Sequence, residues 1–479
     1  MDPIYPLLFV AFCAVLAALQ FNVLPLPLRL QKMFSGRNRV AGLVGTETTA
    51  EVVGRTTNDD ENGARLSFRT LQRTYLVVYF LAVTADWLQG PMVYALYDAY
   101  GFSKGDIALL FIAGFGSSLL LGTFAGSLAD QFGRRQMALA YCALYTVSCL
   151  TKHTSRFAVL LVGRLLGGMA TSLLFSVFEA WYVNEHGTRG YPAEWMGETF
   201  SRASFGNGLV AILSGQLAGL VAAPFGLVAP FDVAIGFLVL VAVLIGHTWS
   251  ENYGNQSERV IRGLYQAMVQ TLHEPSIRWL GVLQSCFEAA MYIFVFMWTP
   301  ALQGAQADPE IPIPHGMIFS TFMVALMLGS VLFERLLHRA MHKPKDAQAL
   351  SLKISTSRLL QTVFAISTLS LVGAAVGDLV HWSVSYISML VFEVTCGLYF
   401  PAIGCLRSTI IPEEYRSAIM NFFRMPMNLL VVLMLAYVDR FSNRTVFMAA
   451  AGLLTVALFA LHRLRAVGSP LESSPETSA

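Results

Sequence analysis

Charged residues are scarce in this chain of 479 amino acids. Asp, Glu, Lys and Arg together make up 13% of it, whereas 55% of it is hydrophobic. Soluble proteins contain about 25% charged residues, so the composition argues against an ordinary soluble domain and predicts a membrane protein. The net charge is only +2, and no basic run is interleaved with aromatic residues, so we expect no nucleic acid partner.

The sequence also lacks the motifs of enzyme chemistry. It contains no nucleotide-binding loop, no Ser/His/Asp arrangement and no spacing typical of metal ligands. We therefore expect no enzyme activity, no metal, no cofactor and no use of ATP. No pair of cysteines forms a CxxC motif, and we interpret all six as buried apolar side chains: Cys13, Cys142, Cys149, Cys286, Cys396 and Cys405.

Hydrophobic residues occur instead in blocks of about 20, the length that spans a lipid bilayer. Basic residues follow the first block, at about 5–24, and do not precede it. We therefore interpret residues 1–25 as an uncleaved transmembrane anchor helix and not as a signal peptide. The polar residues 26–73 predict a flexible cytoplasmic linker.

Twelve further blocks follow, which we number spans 1 to 12. A polar stretch at 249–276, with an amphipathic segment at Ile261–Leu272, separates spans 6 and 7 as a central cytoplasmic loop. The sequence thus predicts an all-α polytopic membrane protein: the extra N-terminal helix, two six-helix bundles (74–248 and 277–463) and a cytoplasmic tail (464–479). The predicted spans are 74–96, 106–128, 135–151, 156–183, 200–222, 231–248, 277–301, 317–338, 358–376, 383–406, 417–438 and 445–463.

The distribution of basic residues indicates the orientation. If the linker is cytoplasmic, most of the 32 Lys and Arg residues lie on that side, and the opposite loops hold five: Lys104, Lys152, Arg156, Arg440 and Arg444. Cytoplasmic loops are enriched in Lys and Arg. We therefore expect a cytoplasmic C-terminus.

The loop between spans 2 and 3 reads Gly126-Ser-Leu-Ala-Asp130-Gln-Phe-Gly133-Arg134-Arg135. It resembles the signature loop of the major facilitator superfamily, and Gly163-Arg164-Leu-Leu-Gly167-Gly168 resembles that superfamily's second motif. The corresponding stretch of the second half, Gly329-Ser-Val-Leu-Phe-Glu334-Arg335, is degenerate. The resemblance implies a major facilitator fold and a gating role for the loop residues Gly126, Asp130, Gly133, Arg134 and Arg135. It further implies that Asp130 contacts the start of span 11.

Six longer strings resemble the molybdate-anion transporter family. The resemblance implies uptake of molybdate through the plasma membrane, and it fits the extra leading helix. The strings are Ala85-Asp86-Trp87-Leu-Gln, Phe178-Glu179-Ala-Trp181-Tyr182, Tyr191-Pro-Ala-Glu194-Trp195, Phe294-Val-Phe-Met-Trp298-Thr-Pro300, Gly397-Leu-Tyr-Phe-Pro401 and Asn421-Phe-Phe-Arg424-Met-Pro426.

Ionisable side chains inside spans are costly and mark candidate functional sites. The resemblance implies that spans 1, 4, 7 and 10 line a central cavity, and those spans supply most of the candidates for substrate binding. The candidates are Asp86, Arg164, Glu288 and Glu393, with Arg424 from span 11. Glu393 and Arg424 could instead form a buried pair.

Glu179 and Arg202 lie near the cytoplasmic ends of spans 4 and 5. We expect them to form a gating pair, with direct contact to the solute as the alternative.

Molybdate is a tetrahedral dianion, so it requires Arg-type donors and does not tolerate ionised carboxylates nearby. The central set contains three acids and two arginines, so either pairing or protonation must neutralise the acids. We therefore expect protons as partners, with Asp86 or Glu288 as the titrating group.

Three functions stay open at this point. The first is a carrier for molybdate or a similar oxyanion, embedded in the lipid bilayer. The second is a carrier of the same fold for another small solute, such as an organic anion or a sugar. The third is a receptor or scaffold that transports nothing.

Overall fold

The computed structural model describes residues 2–20, 58–254, 260–305, 312–341, 345–412 and 416–467. All long elements in these residues are α-helices, as the sequence predicts. They are α1 (Ile4–Gln20), α2 (Asn58–Trp87), α3 (Val93–Ala99), α4 (Lys104–Phe132), α5 (Arg134–Leu150), α6 (Phe157–Thr188), α7 (Ala193–Phe225), α8 (Ala229–Thr248), α9 (Val260–His273), α10 (Pro275–Ala305), α11 (His315–Met341), α12 (Lys345–Val376), α13 (Trp382–Ile410), α14 (Arg416–Ala436) and α15 (Asn443–Val467).

Helix α2 begins well before the predicted span 1. Residues 58–73, which we assigned to the linker, form its first half, so that boundary is wrong. The reason is tertiary contact: Phe68 is fully buried, Arg65 forms a 2.7 Å ion pair with Glu198, and Gln72 donates a hydrogen bond to Thr199. These contacts hold the polar half of α2 against the start of α7. The rest of the predicted linker, 26–57, lies outside the described residues.

Span 1 is also interrupted at its other end. Helix α2 ends at Trp87, and the chain turns at residues 88–92 before the short helix α3 begins. Gly90 and Pro91 lie in this turn, and a proline disfavours the helical conformation of the residue before it. The continuous helix predicted for 74–96 is therefore wrong, and Asp86 lies near the end of α2 and not in the middle of a span.

Ten helices in the described residues are long and apolar enough to cross a membrane. They are α4, α6, α7, α8 and α10 to α15. Helix α5 (span 3) has only 17 residues, and α2 (span 1) is polar in its first half, so neither reaches that standard. Helix α1 is apolar but also has 17 residues. The amphipathic segment predicted in the central loop forms α9.

The two halves of the chain repeat the same packing. In the first half α4 packs on α6 and α5 packs on α8; in the second half α11 packs on α13 and α12 packs on α15. The halves meet along two pairs of helices, α7 with α11 and α4 with α14. This arrangement is that of two six-helix bundles related by an internal repeat. Helix α1 packs on the outside of α11.

The helices alternate in direction, so the molecule has two ends. We call the end that carries the Asp130–Arg135 loop the loop face and the opposite end the far face. At the far face Lys104 donates a hydrogen bond to Asn443, whose side chain donates to the carbonyl of Pro300. Gln303 also donates to Asp98 there. These contacts join the two halves at the far face.

The degenerate stretch of the second half lies within a helix. Gly329, Glu334 and Arg335 all lie inside α11. A Cβ atom at Gly329 would approach the Val394 carbonyl oxygen to 2.1 Å, so this glycine permits close packing of α11 on α13. Gly126 and Asp130 of the first loop likewise lie inside α4. The turn that would follow the corresponding stretch, at 342–344, lies outside the described residues, so the correspondence stays a prediction.

Candidate functional site

A cavity of about 1120 Å³ lies between the two halves. Its wall extends from Gln89 and Thr299, in the far-face half of the molecule, to Ser201 and Val331, in the loop-face half. Side chains from both bundles line it, which is the arrangement of a solute pathway. Among the described residues, five acidic or basic side chains belong to its wall: Asp86, Arg164, Arg202, Glu334 and Glu393.

Arg164 contributes a cation to the wall that is only partly satisfied by the protein. Its Nε donates a 3.2 Å hydrogen bond to the Leu110 carbonyl, and its guanidinium lies over the Phe111 ring at 4.8 Å from the centroid. Nη1 and Nη2 have no hydrogen-bond partner among the described residues, and neither is a fully buried atom. Two available N–H donors on one planar guanidinium group can bind two oxygens of a tetrahedral oxyanion at the same time.

The glycines around Arg164 allow three helices to approach closely. A Cβ atom at Gly163 would lie 1.9 Å from the Thr151 hydroxyl, and one at Gly168 would lie 2.1 Å from the Gly114 carbonyl oxygen. A side chain at Gly114 would reach the Arg164 guanidinium at 2.8 Å. The second motif thus packs α6 against its neighbours and positions the arginine.

Asp86 lies in the same part of the wall and has partners that the sequence did not suggest. Tyr145 of α5 donates a hydrogen bond to its carboxylate, and Thr171 of α6 donates a longer one of 3.5 Å. Arg164 interacts with it electrostatically. Thr171 lies two helical turns after Arg164, so it occupies the same face of α6. This spacing of seven residues could have identified Thr171 as a site residue from the sequence.

Two further carboxylates line the cavity on the side of the second bundle. Glu393 of α13 is 6% exposed and has no hydrogen bond or ion pair among the described residues, so the buried pair with Arg424 that we considered is absent from that part of the chain. Glu334 of α11 lines the loop-face part of the wall. We missed Glu334 as a site residue, although the predicted span 8 (317–338) contains it, because we considered it only as part of the degenerate stretch.

Glu288 and Arg424 belong to a different group, outside the residues that line the cavity. The Tyr399 hydroxyl donates a 3.3 Å hydrogen bond to Glu288. Arg424 and Arg407 interact electrostatically with the same carboxylate. The Arg424 guanidinium lies next to Gly122 of α4, where the two halves meet. The predicted binding set therefore separates into a cavity group and an interface group.

The predicted gating pair of Glu179 and Arg202 is not formed in this conformation. Arg202 binds Glu198 at 2.8 Å, one turn away on α7, and donates to the Gln72 side chain. Glu179 is exposed in a smaller depression on the loop face, which Arg134 also lines.

The signature loop is held by contacts within itself and with the start of the central loop. Arg134 donates to Asp130 at 2.7 Å, and its backbone NH donates to the Asn252 carbonyl. Glu251 accepts hydrogen bonds from the backbone NH groups of Arg135 and Gln136, at 2.8 and 3.2 Å. It therefore caps the start of α5 with a negative charge, which the helix dipole favours.

Two glycines permit the conformation of this loop. Gly133 has a φ of 99°, a value that glycine adopts readily. A Cβ atom at Gly254 would lie 2.0 Å from the Asp130 carboxylate, so this backbone covers the acid. In the described part of the chain Asp130 binds Arg134 and not the start of α14, so the contact that the resemblance implied is absent here. Gly126 has nothing near its Cβ position.

Comparison with known proteins shows which family the chain belongs to. A family described as sugar transporters with 12 TM matches residues 35–386. A protein named molybdate-anion transporter from Xenopus tropicalis is 37% identical over 411 residues, covering 83% of this chain and 87% of that protein. One of the same name from Danio rerio is 34% identical and covers 90% of this chain and 94% of its own length.

Solved structures support the fold at lower identity. The nucleoside transporter NupG has a TM-score of 0.66 at 12% identity, covering 82% of this chain and 99% of that one. The peptide transporter POT in complex with sulfate has a TM-score of 0.64 at 15% identity, covering 83% and 95%. Both are transporters, and the likeness to them shows a shared architecture.

Proposed function

Because the chain belongs to the molybdate-anion transporter family of the major facilitator superfamily, we propose that it carries molybdate into the cell. Arg164 binds the anion in this proposal. The observation that carries it is the pair of guanidinium nitrogens, Nη1 and Nη2, that border the cavity without a hydrogen-bond partner among the described residues. Arg202, the second arginine of the wall, is already bound to Glu198.

Alternating access follows from the contacts between the halves. The far face is joined by Lys104, Asn443 and Pro300, whereas Arg202 and Glu334 line the cavity at its loop-face end. We therefore interpret this conformation as closed at the far face and open toward the loop face. Rocking of the two bundles along α7–α11 and α4–α14 would expose Arg164 to the opposite side.

We also propose an orientation. The loop face contains most of the Lys and Arg residues, so it is the cytoplasmic side under the positive-inside rule, together with the C-terminus. The role in uptake assigns the protein to the plasma membrane.

Proton coupling is part of the proposal. The wall contains Asp86, Glu334 and Glu393, and Arg164 has no carboxylate at ion-pair distance among the described residues. Three ionised acids in the wall of one cavity would repel a dianion. Asp86 is the acid of the wall that interacts electrostatically with Arg164, so it takes up a proton when the anion enters. Glu288, our other candidate, lies in the interface group.

The direct test is uptake of labelled molybdate by cells that lack their own molybdate transport. We expect the expressed protein to restore uptake, with competition by tungstate and weaker competition by sulfate and phosphate. Uptake equal to that of cells with an empty vector, despite normal amounts of protein in the plasma membrane, would contradict the proposal.

The size of the cavity favours a second candidate, a larger organic solute. A volume of about 1120 Å³ lies just above the range of pockets that hold drug-sized ligands, and Trp87, Phe294 and Trp298 supply aromatic surface. In the same assay, inhibition of molybdate uptake by a sugar or an organic anion at low concentration would favour this candidate.

A further inference from the structure

The turn between α5 and α6 buries a lysine that has no counter-ion among the described residues. Lys152 is 1% exposed, and its Nζ has no hydrogen-bond partner there either. A buried ammonium group normally has an acceptor, because an unpaired charge in a medium of low polarity is costly. The other lysine assigned to the far face, Lys104, donates a hydrogen bond to Asn443, so a lysine on this face can have a partner.

Among the described residues, no carboxylate lies close enough to Lys152 to neutralise its charge. Its Nζ lies 5.5 Å from the centroid of the Tyr97 ring, and the Tyr97 hydroxyl is also buried without a partner in this part of the chain. Tyr100, just after α3, donates a hydrogen bond to the carbonyl of Lys152. The charged or titratable groups that interact with Lys152 are Arg164 and the Cys149 thiol. Asp232 lies farther out and binds His153 at 2.7 Å.

The turn that holds Lys152 is packed directly behind Arg164. Thr151 contacts Gly163, the residue before Arg164, so closely that a Cβ atom there would overlap its hydroxyl. Tyr97 belongs to α3, which contributes Val93 and Tyr94 to the cavity wall. Lys152 is therefore buried behind the far-face part of the cavity wall, where it interacts electrostatically with Arg164.

We propose that Lys152 supplies the second positive charge of the anion site, so that the site prefers divalent to monovalent tetrahedral oxyanions. This inference rests on the proposed function. A dianion bound by the free nitrogens of Arg164 brings two negative charges, and Arg164 neutralises one of them. The other charge meets Lys152 across a medium in which charges act over longer distances than in water. The anion is then the counter-ion that the surrounding side chains do not provide.

The titration of Lys152 is consistent with this role. Burial, and secondly the neighbouring Arg164, lower the pKa of Lys152 to about 7. Its ammonium group is therefore charged below pH 7 and increasingly neutral above it. A bound dianion favours the charged form, so affinity for a dianion should decline as the pH at the far face rises above 7.

The experiment uses the full-length protein in proteoliposomes and compares molybdate with perrhenate, a monovalent tetrahedral oxyanion. In Lys152→Met we expect the KM for molybdate to rise about tenfold, the effect of losing one charge-assisted interaction. The inhibition constant of perrhenate should change less than about twofold. The matched control is Arg156→Gln, which removes an exposed cation close to the same turn and should leave both constants unchanged.

A second variant separates charge from packing. Lys152→Arg keeps a positive charge at every accessible pH, so we expect it to retain the preference for molybdate. Its affinity should decline less above pH 7 than that of the wild type, and the remaining decline comes from deprotonation of Asp86. If the ratio of the KM for molybdate to the inhibition constant of perrhenate is the same in Lys152→Met as in the wild type, the inference is overturned. If Lys152→Met does not fold, a wild-type pH profile in Lys152→Arg overturns it. Wild-type protein that does not transport molybdate contradicts the proposed function instead.

Discussion

Asp86 and Glu288 looked equivalent in the sequence, since each is an acid within an apolar span without a basic residue nearby. The structure gives them different neighbours. Asp86 borders the cavity next to Arg164 and accepts a hydrogen bond from Tyr145, whereas Glu288 interacts with Tyr399, Arg407 and Arg424. At the scale of the residue, Asp86 is therefore the better candidate for coupling a proton to an anion.

This difference leads to a prediction for two conservative variants. Asp86→Asn keeps an oxygen for Tyr145 and removes the titrating group, so an inward proton gradient should no longer stimulate molybdate uptake. Glu288→Gln should keep the stimulation, because this side chain lies outside the cavity wall. Uptake in proteoliposomes, with and without a pH step, measures both. Normal stimulation of Asp86→Asn would contradict the assignment.

The sequence could identify these residues but not group them. A charge within an apolar span is visible in the sequence. Four of the five predicted binding residues lie on helices long and apolar enough to cross a membrane, and Asp86 lies on α2. Which of them border the cavity depends on the rotation of each helix about its axis. That rotation is set by close contacts such as those of Gly163 and Gly168, which become apparent only when the neighbouring helix is in place.

At the scale of the element, α6 is positioned by its glycines. Gly168 faces the backbone of Gly114 and the hydroxyl of Ser117 on α4, and Ser148 of α5 donates a 2.6 Å hydrogen bond to the Gly163 carbonyl. Small residues at such contacts allow helices to approach closely in a membrane. Arg164 lies between these contacts, so its position depends on them.

We therefore expect Gly168→Ala to destabilise the protein. Its new methyl group would lie 2.1 Å from the Gly114 carbonyl oxygen, and overpacking of this kind costs about 1–3 kcal/mol. Gly116→Ala on α4 is the matched control, because nothing lies within 4 Å of its Cβ position. Thermal unfolding in detergent measures the effect. Equal melting temperatures for the two variants would refute this account of the packing.

The helices themselves were largely predictable. Blocks of apolar residues predicted twelve helices in the right order, and ten of the described helices are long and apolar enough to cross a membrane. The errors fall where tertiary contacts act on polar residues. The start of α2 is stabilised by Phe68, which packs against His186 of α6, and by Arg65, which pairs with Glu198 of α7. No local sequence pattern predicts contacts of this kind.

At the scale of the whole molecule, the signature loop lies at the loop-face end of α4, the helix that packs on α14 of the other half. In this conformation Asp130 binds Arg134, and Gly254 covers its carboxylate. If the acid bridges to α14 in the opposite conformation, it has different partners in the two states. A residue of this kind shifts the balance between states and leaves solute contacts unchanged.

Asp130→Asn should therefore change the rate of transport more than the affinity. We expect the maximal uptake rate to change severalfold and the KM for molybdate to stay within about twofold, since the ion pair with Arg134 is remote from the cavity wall. Initial rates over a range of molybdate concentrations measure both constants. A large rise in KM at an unchanged maximal rate would contradict this role.

The central claim is that Arg164 binds the anion, whereas Arg424 lies where the two halves meet and does not contact the anion. Equilibrium binding of labelled molybdate to purified protein tests it most directly, with Arg164→Lys compared with Arg424→Lys. Lysine cannot reproduce the two-pronged contact of a guanidinium group. The account predicts that Arg164→Lys weakens binding about tenfold or more and that Arg424→Lys binds like the wild type. Equal weakening in both variants, or weakening in Arg424→Lys alone, would contradict it.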